Sequence, residues 1–280
     1  MLLKEYEQLV ASPQKATRYI QKLCWPNYQR FCPKCKSRKL KQLPNEKRKC
    51  LKCNYSFNDY SLRYFGTIRT TPDNWLRIIK LFEMEVQVEE MAYQLGLSPN
   101  TIRKAITSIR LAIVDNSLDG NLLLKHFQLN LLLKGKKLNL SSPPVFGLIE
   151  HENKVYIDFL PDLDMESFIH LKLNFQLPSQ KIGSVIYTAP IRQYLSLLIY
   201  DQKITQKYQL KHSSQHIPLN GNKNFWPFAK RRLANFRTTN SLNFLLYLKE
   251  LEFRYNFKSK DFFNQIARYL AKFIEDNHQK

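Results

Sequence analysis

Three features of the sequence place this chain among α+β multidomain proteins. Four cysteines in two paired CxxC steps mark a small metal-stapled ribbon near the N-terminus. Helical periodicity governs the segment after it, and short apolar strands bounded by turns take over past residue 120 before long helices close the chain. At 280 residues there is room for two small domains, or for one large core with an appendage. The 44 Lys+Arg against 23 Asp+Glu leave a formal charge of +21, which suits a polyphosphate partner. With 18 Phe, 15 Tyr and 3 Trp against only 7 Gly, the composition is that of a packed globule and excludes a disordered basic tail. No apolar run approaches the length of a membrane span and no cleavable leader pattern follows Met1, so a soluble intracellular protein is expected.

Cys32, Cys35, Cys50 and Cys53 form CxxC-x14-CxxC, a spacing that brings four thiolates to one tetrahedral zinc ion. Two disulfides are the alternative, disfavoured by the reducing compartment expected of a chain without a secretion signal. Cys24, just before Trp25-Pro26, is expected to pack in a core. Around the knuckles stand ten cations, Arg30, Lys34, Lys36, Arg38, Lys39, Lys41, Lys47, Arg48, Lys49 and Lys52, with Glu46 the only acid. Such a ribbon reads as a phosphate-contacting module, with Lys34, Lys36, Arg38 and Lys39 the leading candidates.

Residues 73–86 place Trp75, Ile78, Ile79 and Phe82 on one helical face. A second helix then buries Met91, Ala92 and Leu95, and Gly96 supplies a tight turn. Ser98 is a good N-cap with Pro99 at the first helical position, and Ile102, Ile106 and Ile109 face inward. The spacing is that of a helix-turn-helix, whose second helix would offer Asn100, Thr101, Arg103 and Lys104 to a major groove. After a linker at 115–120, strands are expected at 124–132, 145–150, 154–160 and 184–188, the second and third joined as a hairpin through Glu150-His151-Glu152-Asn153. Helical patterns are read at 165–173 and 190–198, then in the long C-terminal segments.

The most distinctive stretch comes late. Asn220-Gly221-Asn222-Lys223-Asn224-Phe225-Trp226 precedes Lys230-Arg231-Arg232-Leu233, Arg237, and a helix ending Phe253-Arg254-Tyr255-Asn256. This resembles the C-terminal signature of zinc-ribbon insertion-sequence DDE transposases, N-G-[IV]-E-N-F-W, K-R-x-L and E-F-x-x-R-[FY]-N. The likeness runs from Phe31 to about Phe257 and is weakest over 120–180. It implies an N-terminal zinc ribbon, a helix-turn-helix and an RNase H-like mixed α/β domain. The expected boundaries are a helical segment at 1–29, the ribbon at 30–60, the helix-turn-helix at 70–116, the RNase H-like domain at 121–260 and a C-terminal helix at 261–280. It also implies double-stranded DNA as partner, transposon ends included, a nucleoid-associated place in the bacterial cytoplasm, and Lys230, Arg231, Arg232 and Arg237 as further DNA contacts. A homo-oligomer is left open and no membrane partner is expected.

The resemblance also locates a catalytic triad, and all three positions differ from it. Asn130 stands at the first Asp of V-E-[IL]-D-E-[ST]-Y, Ala189 at the Asp of [YF]-T-D-G-x-x-x-Y, and Lys223 at the Glu of the C-terminal signature. Strand transfer by such a domain uses two divalent cations about 3.5–4 Å apart, and magnesium needs carboxylate oxygens. Asn130 offers one neutral carbonyl, Ala189 nothing, and Lys223 repels a cation. From Gln202 to Lys249 there is no Asp or Glu to substitute. Two readings follow. In the first the chain is a DNA-binding derivative with structural zinc and lost catalysis. In the alternative it is an active metal-dependent transposase using Mg2+, its true metal site lying elsewhere along the weakly matched middle than at these three positions. Asp158, Asp162, Asp164 and Glu166 cluster after a strand and read either as an improvised metal site or as a solvated acidic turn.

Overall fold

The computed structural model describes residues 1–44, 46–117, 120–126, 128–133, 145–151, 154–160, 184–188, 195–199, 225–233, 241–257 and 261–274. The chain divides into two compact units, Met1–Ile113 with Ser259–Lys280, and Val114–Lys258.

In the first unit, helices α1 (Leu3–Val10) and α2 (Pro13–Cys24) lead into a three-stranded ribbon of β1 (Leu40–Gln42), β2 (Arg48–Cys50) and β3 (Ser56–Phe57). The ribbon is antiparallel in the order β1-β2-β3, with Leu40 opposite Cys50 and Lys49 opposite Ser56. Helices α3 (Pro72–Glu83), α4 (Val88–Leu95) and α5 (Pro99–Asp115) follow. The starts of α2, α3 and α5 share one device, a Ser or Thr cap before a Pro whose missing N–H would have had no partner in any case. Ser12 Oγ accepts from the Lys15 N–H, Thr71 Oγ1 from Asn74 and Ser98 Oγ from Thr101. Gly96 ends α4 in the left-handed conformation at φ 61°, open to glycine without strain. Trp75, Ile78, Ile79, Phe82, Met91, Ala92, Ile102, Ile106 and Ile109 are buried, as their spacing predicts.

The last described helix of the chain returns to this unit. It buries Phe262, Phe263, Ile266 and Leu270 and packs on α2, α3 and the 3-10 turn Tyr64–Thr67. Beyond it Phe273 bridges to Arg63, and Ile274 donates its N–H to the Leu62 carbonyl. Arg63 is buried between the rings of Trp25 and Phe273 and donates to the carbonyls of Cys24 and Ala271. Within the stretch 261–280, set apart by sequence as a C-terminal helix, residues 261–274 thus supply part of the first unit's core.

The second unit begins with helices α6 (Gly120–His126) and α7 (Asn130–Leu133), where a strand was expected at 124–132. A Leu-rich run is ambiguous by periodicity alone, and Leu and Lys are good helix formers. Strands β4 (Val145–His151), β5 (Lys154–Leu160), β6 (Ser184–Thr188) and β7 (Leu195–Ile199) form a sheet in the order β5-β4-β6-β7. The β4–β5 hairpin is present, with His151 opposite Lys154. Strand β7 replaces the helical pattern expected at 190–198. Its connection from β6 is too short for a parallel crossover, so the pair is antiparallel. Every described pairing in this sheet is antiparallel, whereas the resemblance led us to expect a mixed sheet. The helix expected at 165–173 lies outside the described residues.

Helices α8 (Phe225–Leu233) and α9 (Ser241–Asn256) complete this unit, and the terminal helix of the first unit (Phe262–Leu270) is α10. Phe225 and Phe228 meet Tyr255 edge-on, with centroids 5.0 and 5.5 Å apart. No helix among the described residues is long and apolar enough to cross a membrane.

Candidate metal centre and nucleic-acid interface

The two CxxC steps fold into near-equivalent knuckles. Lys36 and Asn54, one residue past each second cysteine, both take positive φ (59°) and donate their N–H to the carbonyls of Cys32 and Cys50. Cys32 N–H reaches the Ser37 carbonyl and Cys50 N–H the Tyr55 carbonyl, five residues on in each case. This repeated turn aims all four Sγ atoms at one point. They lie within 4.8 Å of one another, with Cys32–Cys53 at 3.6 Å and Cys35–Cys50 at 3.4 Å. A disulfide needs about 2.05 Å, while a zinc tetrathiolate with bonds of about 2.3 Å sets its sulfurs about 3.8 Å apart. The donor set therefore fits a zinc-type ion, which would cross-link the two knuckles. Burial raises the Cys50 thiol, but N–H groups of Cys53 and Lys52 directed at its sulfur outweigh that and hold it down at about 6. Cys24 stays apart from the cluster, buried as expected, its thiol pushed up to about 12 by burial.

The cations around the knuckles separate into two groups. Lys34, Lys36, Arg38 and Lys39 are exposed, as are Lys41, Lys47 and Lys52. Lys36 Nζ sits over the rings of Phe31 and Phe273, 5.4 and 4.9 Å from their centroids. Arg30 and Arg48, counted from sequence among the phosphate contacts, instead converge on buried Asp59. Arg30 Nε donates at 2.7 Å and Nη2 at 2.9 Å, Arg48 Nη1 donates at 2.8 Å, and Gln21 Nε2 joins from α2 at 3.0 Å. The hydrogen bond to Asp59 raises the Arg30 guanidinium above its ordinary value. Asp59 thereby ties the ribbon to α2. It lies six residues past the last cysteine, and the sequence reading missed it because one acid in a basic stretch looks like a solvated charge.

On the first two turns of α5, Asn100, Arg103 and Lys104 are exposed, and Thr101 Oγ1 is 2.9 Å from Ser98 Oγ. Arg103 Nη2 donates to Glu89 Oε1 of α4 at 2.7 Å. In α8, Arg231 is exposed, whereas Arg232 lies over the Phe228 ring at 3.8 Å and its carbonyl accepts from the Tyr247 hydroxyl. The backbone of Lys230 belongs to the same helix, and Arg237 lies outside the described residues. Of the triad-equivalent positions, Asn130 opens α7 instead of lying on a strand, and Ala189 and Lys223 lie outside the described residues. Asp158 belongs to β5, opposite Gly147. Asp162, Asp164 and Glu166 lie outside the described residues.

Comparison with a known family bears on the second unit. Residues 118–256 match the model of the ISXO2-like transposase domain, a span that ends on the last residue of α9. An "Uncharacterized transposase-like protein" of Haemophilus influenzae is 32% identical over 107 residues, covering 37% of this chain and 81% of that protein. The chain belongs to this insertion-sequence transposase family. The cysteine knuckles precede the span matched to the ISXO2-like domain. No solved structure matches the chain.

Proposed function

We propose that this transposase-family protein binds double-stranded DNA through its zinc-stapled ribbon and helix-turn-helix, and has lost strand-transfer chemistry. The observation that carries the binding half is the convergence of four thiols beneath a surface bearing Lys34, Lys36, Arg38 and Lys39. A metal bound there would act structurally, presenting those cations on a rigid hairpin. Asn100, Thr101, Arg103 and Lys104 are assigned to base edges and phosphates of the major groove, and Lys230, Arg231, Arg232 and Arg237 to further backbone contact. The loss of chemistry rests on Asn130, Ala189 and Lys223 standing where the family places two Asp and a Glu. The RNase H-like character of 121–260, the ribbon and helix-turn-helix as domains, and a nucleoid-associated location belong to the same proposal.

Family membership supports a second reading, an active metal-dependent transposase that would need Mg2+. Binding and chemistry are separable. Fluorescence anisotropy with a labelled duplex in chelator should give an affinity that falls steeply with salt. Neutralising about six phosphates predicts a log–log slope of about −5. A slope near zero would sink the binding assignment.

A further inference from the structure

The outer edge of the sheet carries a feature that the DNA-binding reading does not use. Strand β5 ends the order β5-β4-β6-β7, so among the described strands one of its sides is unpaired. On that side the peptide groups of Val155 and Ile157 stand available to a further strand. All four are taken by side chains of α9. Asn256 accepts the Val155 N–H on Oδ1 at 2.7 Å and donates from Nδ2 to the Val155 carbonyl at 2.5 Å. That is the two-bond exchange one residue of an antiparallel strand would make. At Ile157 a charged pair does the same. Glu252 Oε2 accepts the N–H at 2.8 Å, Lys249 Nζ donates to the carbonyl at 2.6 Å, and the two are 2.6 Å from each other.

The geometry is commensurate. Four helical residues from Glu252 to Asn256 rise about 6 Å, and two strand residues from Val155 to Ile157 span about 7 Å. A helix carrying Lys-x-x-Glu-x-x-x-Asn can therefore lay two surrogates for peptide groups along a strand edge. Val155, Ile157, Lys249 and Glu252 are buried, so water does not replace these bonds.

We propose that Lys249, Glu252 and Asn256 act as a strand mimic that covers the outer edge of β5 at Val155 and Ile157. The C-terminal signature is then in part an edge-closing device, and these three side chains contact neither DNA nor metal. This assignment holds whether or not the DNA-binding reading does.

Residue-resolved amide hydrogen exchange on the full chain tests it. In the wild type, the Val155 and Ile157 amides should be protected as strongly as those of Tyr156 and Asp158. Rapid exchange at either would overturn the proposal with no variant needed. Asn256→Ala should accelerate Val155 by about tenfold or more relative to Tyr156, whereas plain destabilisation would accelerate both alike. Should that variant not fold, Asn256→Asp keeps the acceptor, loses the donor, and should show the same contrast more weakly. An unchanged Val155-to-Tyr156 ratio in both variants would overturn the assignment.

Discussion

The two compact units keep charged side chains from water in opposite ways. In the ribbon unit Asp59 gathers Arg30 and Arg48, and Arg63 lies between two aromatic rings with backbone carbonyls as acceptors. Cations outnumber the buried acid, and the exposed surplus points outward from a hairpin held by a metal-type thiol cluster. In the sheet unit the buried charges of α9 include two ion pairs within the helix. Lys249 pairs with Glu252 and Glu250 with Arg254, and the first pair finishes on the backbone of β5. The ribbon is organised to present charge and α9 to consume it. A ligand-facing role for the first and a scaffold role for α9 follow from that difference.

The largest expected effect concerns the cluster. A structural zinc site of this kind carries on the order of 10 kcal/mol of coupled folding free energy. Freshly purified, reduced protein should hold one zinc by elemental analysis, and Cys32→Ser should lose the metal together with the ribbon's amide protection. The sheet unit should be unaffected. If it unfolded in step with the ribbon, the two-unit description would be wrong.

Next in size is the buried pair. Lys249→Met strands the Glu252 carboxylate at a site where Lys249 is only 2% exposed, and should cost about 3–5 kcal/mol in denaturant unfolding. An ordinary buried ion pair is often replaceable by apolar residues at no cost. Here Lys249→Met/Glu252→Met should still be destabilised by about 1–3 kcal/mol, because it orphans the Ile157 peptide groups. A double variant as stable as wild type would reduce the clamp to a plain salt bridge.

Alkaline pH sharpens the contrast from the other side. Burial raises the Cys24 thiol from an ordinary 9.0 to about 12, and the Tyr19 hydroxyl from 10.0 to about 12. A folded-state value above the unfolded one means that these groups stabilise below the unfolded value and cease to do so as pH rises through the folded one. Ribbon-unit stability should therefore fall between about pH 9 and 12, and in zinc-loaded protein at neutral pH Cys24 should resist thiol reagents. Fast labelling of Cys24 at pH 7 would contradict its placement in the core.

The smallest effect is at the surface. The Arg103–Glu89 pair is exposed on both sides, so Glu89→Ala should change stability by less than about 1 kcal/mol. Arg103→Ala should weaken sequence preference by about 1–3 kcal/mol while leaving non-specific affinity nearly intact. Equal losses on specific and random duplexes would move Arg103 from base reading to phosphate contact.

Much of the ribbon unit was legible in the sequence because its constraints are local. CxxC spacing, the Ser98-Pro99 cap and the 3.6-residue period of Trp75, Ile78, Ile79 and Phe82 each act within a turn or two. The β4–β5 hairpin was legible for the same reason. What escaped depends on distant partners. Residues 124–132 and 195–199 are apolar runs whose state is decided by what they pack against, so a helix and a strand were exchanged between them. Asp59, Lys249 and Glu252 carry no local signal of their roles, because their partners lie elsewhere in the fold or on a backbone. The return of α10 to the first unit joins residues some two hundred positions apart, as in the Arg63–Phe273 bridge.

The central claim, DNA binding without strand chemistry, is tested most directly by one gel experiment. A labelled duplex ending in transposon-like repeats is incubated with the zinc-loaded protein in chelator, in magnesium and in manganese. We expect a retarded complex under all three conditions and neither nicked nor joined strands under any. Metal-dependent cleavage that persists in Asn130→Ala would contradict the account, showing that an active metal site exists and that Asn130 is no part of it.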